Sequence, residues 1–154
     1  MTPPVNPSLG SEPAVQLFRI VLTLATHLRT RMDQRLADVD LTTQQAGVLT
    51  FVAHSPDPPT LGDAARSLGT SHQNVRQIVA ALERKGMLEV VADAVDGRVR
   101  RLTATPRVGK VFETRDLGDH AIVAEWMAPL TEDEQRQAVG LLNRLLRDLV
   151  SAGG

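Results

Sequence analysis

The chain has no cysteine among its 154 residues. Disulfides, thiol redox sensing and thiolate metal sites are therefore excluded. Aromatic residues are scarce: no tyrosine, one tryptophan and three phenylalanines. The core must be built from Leu, Val, Ile and Ala, and stacking on an aromatic ligand must use Phe18, Phe51, Phe112 or Trp126. No apolar run is long enough to span a membrane. The opening MTPPVNPSLGSEP has neither a basic start nor an apolar stretch, so it does not read as a signal peptide, and residues 1–12 are expected to form a flexible arm. A cytoplasmic location fits these absences. Strong net charge is missing too: 17 Lys and Arg face 18 Asp and Glu, a formal charge of −1. Bulk charge alone therefore says nothing about a nucleic-acid partner.

Catalytic signatures are also lacking. There is no Gly-rich phosphate loop, no Ser nucleophile elbow and no HExxH. His27, His54, His72 and His120 are scattered, and His120 with Asp119 and Glu125 has poor spacing for a metal. No catalytic residue, metal site or cofactor is expected. What remains is ordinary for a globular protein, 42% hydrophobic and 23% charged. The length suits one domain, expected over residues 13–154.

The periodicity is mainly helical. Leu17, Val21, Leu24, Leu28, Met32 and Leu36 recur three or four apart, predicting a helix from about Pro13 to Ala37. Phe18, Ile20, Leu22 and Ala25 widen its apolar stripe, so it needs two partners: its own core, and a second subunit as the other candidate. Thr42 and Gln45 have capping-box spacing at the head of a helix reaching about Ala53, which SPDPP ends. Thr60, with Asp63 three residues on, opens a short helix that Gly69 stops. Ser71 opens another, stopped by Gly86. Two short helices joined by a tight Gly turn, the second amphipathic, form a helix-turn-helix signature.

After Gly86 the period becomes strand-like. MLEVVA and RVRRLTA flank ADAVDG, which predicts a β-hairpin with Asp96-Gly97 at its turn. Thr105-Pro106 predicts the start of a further helix, carried by Val108, Val111, Phe112, Leu117, Ile122, Val123 and Trp126 and broken by Pro129. Thr131 and Glu134 form a capping box for the last helix, whose stripe is Leu141, Leu142, Leu145, Leu146, Leu149 and Val150.

The chemistry concentrates in the middle of the chain. Residues 61–115 hold ten Lys and Arg against six Asp and Glu, a net of +4 within a chain of −1. A basic middle between acidic flanks fits a local phosphate-facing surface. In the helix after Ser71, Val75, Ile78, Val79 and Leu82 share the inward face. The opposite face carries Gln73, Arg76, Gln77, Ala80 and Arg84, and the first turn adds His72 and Asn74. Arg pairs bidentately with guanine, and Asn or Gln with adenine. The small Ala80 lets such a helix sink into a groove, and free backbone N–H groups from Ser71 to Gln73 suit a phosphate. On the hairpin, strand alternation places Arg98 and Arg100 on one side and Arg101 on the other. Arg98 is the candidate for the minor groove and Arg100 for a phosphate. Asp96 has a structural reading as well: it caps the turn and holds Arg98.

LTTQQAGVL, then TLGDAARSLGTSHQNVRQIVAALERKGML, then DGR, then a strand and TP, resembles the MarR family of winged helix-turn-helix regulators. Leu41, Thr42, Gln45, Leu82, Glu83, Gly86, Asp96 and Arg98 carry the likeness, which covers residues 41–109 by motif and nearly the whole chain by element order. It implies a mainly α fold with a small β-hairpin wing. A winged-helix lobe at about 41–105 would be flanked by dimerisation helices at about 13–38 and 106–151. It also implies a homodimeric repressor whose paired recognition helices read successive major grooves of a near-palindromic double-stranded site. Release by a small aromatic or phenolic ligand follows from the same likeness. His27, Arg31, Phe51 and Phe112 are its candidate ligand residues, each with an alternative place in the core or dimer interface. The DNA-contacting set is Ser71, His72, Gln73, Asn74, Arg76, Gln77, Arg84, Arg98 and Arg100. The competing functional class is a winged helix that binds protein without specific DNA binding. Salt discriminates between them, because binding through several Lys and Arg to DNA weakens steeply as salt rises.

Overall fold

The computed structural model describes residues 12–152, the side chains of 116–118 aside. Except for Glu12, the expected N-terminal arm lies outside the described residues. The element order is α1 (Pro13–Leu36), a 3-10 turn (Ala37–Val39), α2 (Thr43–His54), α3 (Leu61–Leu68), α4 (His72–Arg84), β1 (Leu88–Ala92), β2 (Arg100–Ala104), α5 (Pro106–Met127) and α6 (Glu132–Ala152). This is the mainly α architecture with a two-stranded wing that the periodicity predicts. The chain divides into two compact units, one up to Thr43 and one from Gln44 onward.

In the first unit, α1 has Pro13 at its first turn, where a missing N–H costs nothing. Leu36 and Leu41 are buried. The 3-10 turn between them ends on Asp40 at φ 55°, a left-handed conformation that Asp tolerates better than most residues. Asp33 is held by Thr43, whose N–H and Oγ1 both donate to Asp33 Oδ1 at 2.6 Å. Those bonds, the hydroxyl's first, depress the Asp33 pKa. The N-terminal half of the expected stripe is uncovered: Leu17, Phe18, Ile20, Leu22 and Leu24 are all about half exposed or more.

In the second unit, local chemistry sets the helix ends. Thr60 and Asp63 complete a reciprocal capping box at the head of α3: Asp63 N donates to Thr60 Oγ1 at 3.1 Å, and Thr60 N donates to Asp63 Oδ2 at 2.9 Å. Gly69, at φ 62°, turns the chain out of α3 while its N–H bonds back to Ala65 and Arg66 carbonyls. Ser71 then caps α4, its Oγ accepting from Asn74 N at 3.1 Å. The small, buried Ala64 and Ala65 let α3 pack against α4, which buries Val75, Ile78, Val79 and Leu82 as expected. Gly86, at φ 67°, ends α4's run. Val48, Leu49, Val52, Met87, Leu88, Leu102 and Val108 complete the buried apolar set.

The wing is antiparallel, with Leu88 opposite Ala104 and Ala92 opposite Arg100. A bridge between Thr60 and Arg101, and Leu102 N donating to Pro59 O at 2.8 Å, attach β2 to the segment leading into α3. α6 begins on the expected capping box of Thr131 and Glu134. Its apolar stripe is exposed along its whole length. Among the described residues, no helix is long and apolar enough to cross a membrane.

Candidate nucleic-acid interface

The second unit assembles the surface from α4 and the wing. α4 is anchored by its buried valines and leucine, which fixes the direction of its other face. Gln73, Arg76, Gln77 and Arg84 are exposed there, and Ala80 is half-buried between them. Gln73, Arg76 and Gln77 are spaced i, i+3 and i+4, so they form one strip. None of these polar residues makes an ion pair or side-chain hydrogen bond within the described residues. Their donors and acceptors remain available to an external partner.

The rest of the first turn divides. Ser71 uses its hydroxyl as the cap. His72 is exposed, and its ring lies against α3: a Cβ added at Gly62 would meet His72 Cε1 at 3.3 Å. Asn74 departs from the expectation of a base-reading side chain. It is half-buried, and its Nδ2 donates to Thr70 Oγ1 at 2.8 Å, bracing the turn between α3 and α4.

The wing refines one sequence expectation and corrects another. Asp96-Gly97 lies in the turn region as expected, within a loop over residues 93–99, because strand pairing stops at Ala92 and Arg100. Gly97 does not adopt the positive φ of a two-residue Asp-Gly turn. The loop is organised by Asp93. Asp93 Oδ1 accepts from Val95 N at 2.8 Å and Asp96 N at 3.0 Å, while Asp93 N donates to Val99 O at 2.9 Å. These backbone donors, then the Arg101 side chain, lower the Asp93 pKa to about 2. Second, Arg98 lies in the loop rather than on β2, so strand alternation does not decide its direction. Asp96 does hold it, as its structural reading requires: Asp96 Oδ1 accepts from Arg98 N at 3.0 Å.

The wing arginines have separate fates. Arg98 and Arg100 are exposed and unpaired among the described residues. Arg101 instead donates from Nε to Asp93 Oδ2 at 2.7 Å and from Nη1 to Pro58 O at 3.2 Å. Two more contacts brace α4 against the start of α5: Thr105 Oγ1 donates to Gly86 O at 2.7 Å, and Arg107 Nη1 to Lys85 O at 3.1 Å. Asp93 and Arg107 were not singled out by sequence reasoning, which set Arg101 apart only by placing it on the other side of the strand. Only the Asn/Asp preference of turns pointed toward Asp93.

The candidate ligand residues occupy different units. His27 and Arg31 are exposed on α1 of the first unit. Phe51 and Phe112 are half-buried on α2 and α5 of the second. His120 is exposed, Asp119 pairs with Arg115, and no metal-binding group of three His, Cys, Asp or Glu occurs among the described residues.

Residues 39–99 match the family model described as MarR family. The LexA repressor of Methylococcus capsulatus is 34% identical over 96 residues, 56% of this chain and 47% of that protein. The chain thus spans about half the length of that relative. Among solved structures, a MarR protein from Peptoclostridium difficile aligns over 99% of this chain and 96% of its own, with TM-score 0.82 and 18% identity. MepR of S. aureus, solved in complex with DNA, aligns over 87% of this chain and 96% of its own, with TM-score 0.74 and 26% identity. The transcriptional regulator BldR of Sulfolobus solfataricus aligns over 87% and 95%, with TM-score 0.76 and 19% identity. Of these, the Methylococcus capsulatus protein is named a repressor, BldR a transcriptional regulator, and MepR is solved with DNA.

Proposed function

From the match of residues 39–99 to the MarR family model and the shared fold, we propose that the chain is a MarR-type regulator that controls transcription by binding double-stranded DNA in a sequence-specific manner. The observation that carries this reading is the exposed, internally unpaired strip of Gln73, Arg76 and Gln77, in one compact unit with the unpaired Arg98 and Arg100. The strip offers bidentate groups for base edges, and the wing arginines offer charge for the minor groove and a phosphate. Ser71 and His72 sit where α4's first backbone N–H groups meet a phosphate, and Arg84 extends the basic face at its far end. The DNA-bound MepR structure, at 26% identity, supports the same use of this fold.

The finer reading is a cytoplasmic homodimer and repressor. It forms a single MarR-like domain over residues 13–154, with its DNA-binding lobe at about 41–105. The helices at about 13–38 and 106–151 join the subunits. Exposed apolar faces on α1 and α6 support a second copy, since isolated globular chains rarely leave such surface uncovered. Two copies related by a two-fold axis would read half-sites about 34–36 Å apart in a near-palindromic operator. A small aromatic or phenolic effector would stack on Phe51 or Phe112 or pair with His27 and Arg31.

A mobility-shift experiment tests the reading, using DNA flanking the protein's own gene and a scrambled duplex at two salt concentrations. Selective shifting that weakens as salt rises is expected. Salt-insensitive capture of a protein partner, with no selective shift, would replace it with the protein-binding class.

A further inference from the structure

We propose that Arg101 is a positioning residue for DNA binding, which clamps the wing through Asp93 to the segment leading into α3. The proposal rests on the DNA-binding reading above. Three arginines crowd the wing, and charge alone would assign all of them to phosphates. The geometry separates them. Arg101 spends Nε on Asp93 Oδ2 at 2.7 Å and Nη1 on Pro58 O at 3.2 Å. Its side chain is 34% exposed, and that of Asp93 19%.

The contacts continue into the loop tip. Asp93 Oδ1 receives the N–H groups of Val95 and Asp96, and Asp96 Oδ1 receives that of Arg98. An unbroken chain of polar contacts therefore runs from Pro58 O through Arg101, Asp93 and Asp96 to the backbone of Arg98. Pro58 lies two residues before Thr60, which caps α3, the first helix of the helix-turn-helix. Without Arg101, the loop beyond Ala92 and Arg100 retains only its internal turns. Arg98 then has to be ordered when DNA binds, at a cost in affinity.

The clamp predicts a pattern that phosphate contact does not. A phosphate-contacting arginine contributes to counterion release, so removing it flattens the salt dependence of affinity by about one unit per site. Arg101 is already neutralised by Asp93. Substituting it should weaken binding while leaving the salt slope unchanged. Asp93 discriminates more sharply still. Removing a carboxylate beside DNA should strengthen binding if only charge counts; under the clamp it should weaken it.

The experiment measures affinity of the full chain for its selected duplex across a salt series, for wild type, Arg101→Ala, Asp93→Asn and Arg98→Ala. Roughly tenfold weaker binding is expected for both Arg101→Ala and Asp93→Asn, from the cost of ordering a freed side chain and loop. Both should keep the wild-type slope, while Arg98→Ala lowers it. Tighter binding by Asp93→Asn, or a slope for Arg101→Ala matching that of Arg98→Ala, overturns the clamp. Amide hydrogen exchange at Val95 and Asp96 in the unbound protein supplies a readout that needs no DNA. Faster exchange in Arg101→Ala supports the clamp, and unchanged exchange overturns it. If wild type shows no selective DNA binding, the functional reading fails, and the exchange result still decides whether the clamp exists.

Discussion

Substituting Arg76 with alanine tests base reading at the centre of the α4 face. Arg76 is exposed and unpaired, and its neighbours Val75 and Val79 are buried, so α4 keeps its seat when the side chain is shortened. The lost quantity is therefore an external contact. One bidentate Arg–guanine pair contributes about 1–3 kcal/mol of discrimination. The proposed two-fold dimer would place two copies on one operator, so the loss there is about 2–6 kcal/mol, a fall in affinity of roughly 30-fold to 20,000-fold. On a scrambled duplex only the phosphate attraction of one cation per helix is lost, so the fall should be much smaller. Arg76→Lys retains that cation but not the planar fork. It should recover affinity for the scrambled duplex and not for the operator. Fluorescence anisotropy on both duplexes at fixed salt measures all four combinations. Equal loss on the two duplexes for Arg76→Ala, or full recovery of operator binding by lysine, would refute base reading by this residue.

Other perturbations follow from the same structure. Asp93 has a folded pKa of about 2, below the ordinary 3.8, so its contribution to stability is fully present above 3.8 and is lost as pH falls through about 2. The amide shifts of Val95 and Asp96 should titrate with a midpoint near that lower value; a midpoint near 4 would show the carboxylate to be free of them. Thr60→Ala removes both bonds of the Thr60 hydroxyl, the cap it accepts from Asp63 N and the one it donates to Asp63 Oδ2, and should destabilise the protein by about 0.5–2 kcal/mol in denaturant unfolding. A change within error would mean that the wing bridge, not the cap, holds this turn. Leu146→Asp on the exposed α6 stripe removes an apolar side chain worth about 1.5–3 kcal/mol of burial from each copy, so dimer dissociation should rise by at least a hundredfold. Sedimentation equilibrium reads this, and an unaltered dimer would place the interface elsewhere.

The helix order and the exposed face of α4 were legible because short-range chemistry decides them. Thr60 with Asp63, Ser71, Gly69, Gly86 and Thr131 with Glu134 each act within a few residues, so sequence spacing suffices. The 3.6-residue period likewise assigned Val75, Ile78, Val79 and Leu82 to the interior and thereby Gln73, Arg76 and Gln77 to the outside. Other features depend on partners that periodicity does not encode. Asn74 lies in the reading turn, but its amide is drawn to Thr70, before the helix begins. Asp96-Gly97 carries a strong local hairpin signal. The loop that holds it is longer and is shaped by Asp93, which gathers the loop's N–H groups and pairs with Arg101 eight residues away. Thr105 does start α5, yet its hydroxyl goes to Gly86 O, 19 residues back, rather than capping its own helix.

Those partnerships also explain how a chain of formal charge −1 presents a cationic face. Of the ten cations between residues 61 and 115, Arg66, Arg101 and Arg115 are paired with Asp63, Asp93 and Asp119. Lys85 donates to Gln45, and Arg107 to the Lys85 carbonyl. Arg76, Arg84, Arg98, Arg100 and Lys110 remain, all exposed, on α4, the wing and the start of α5. The nearby carboxylates do not simply cancel this group. Asp63 is committed to a helix cap, Asp93 to the loop and Asp96 to the Arg98 backbone, so each spends at least one oxygen on an internal donor. The acids that lower the net charge of this segment are thus in part the groups that orient its unpaired arginines. Replacing Asp93 or Asp96 to raise the positive charge would sacrifice the alignment that makes the charge useful, because a phosphate is recognised by donors held in place as well as by charge.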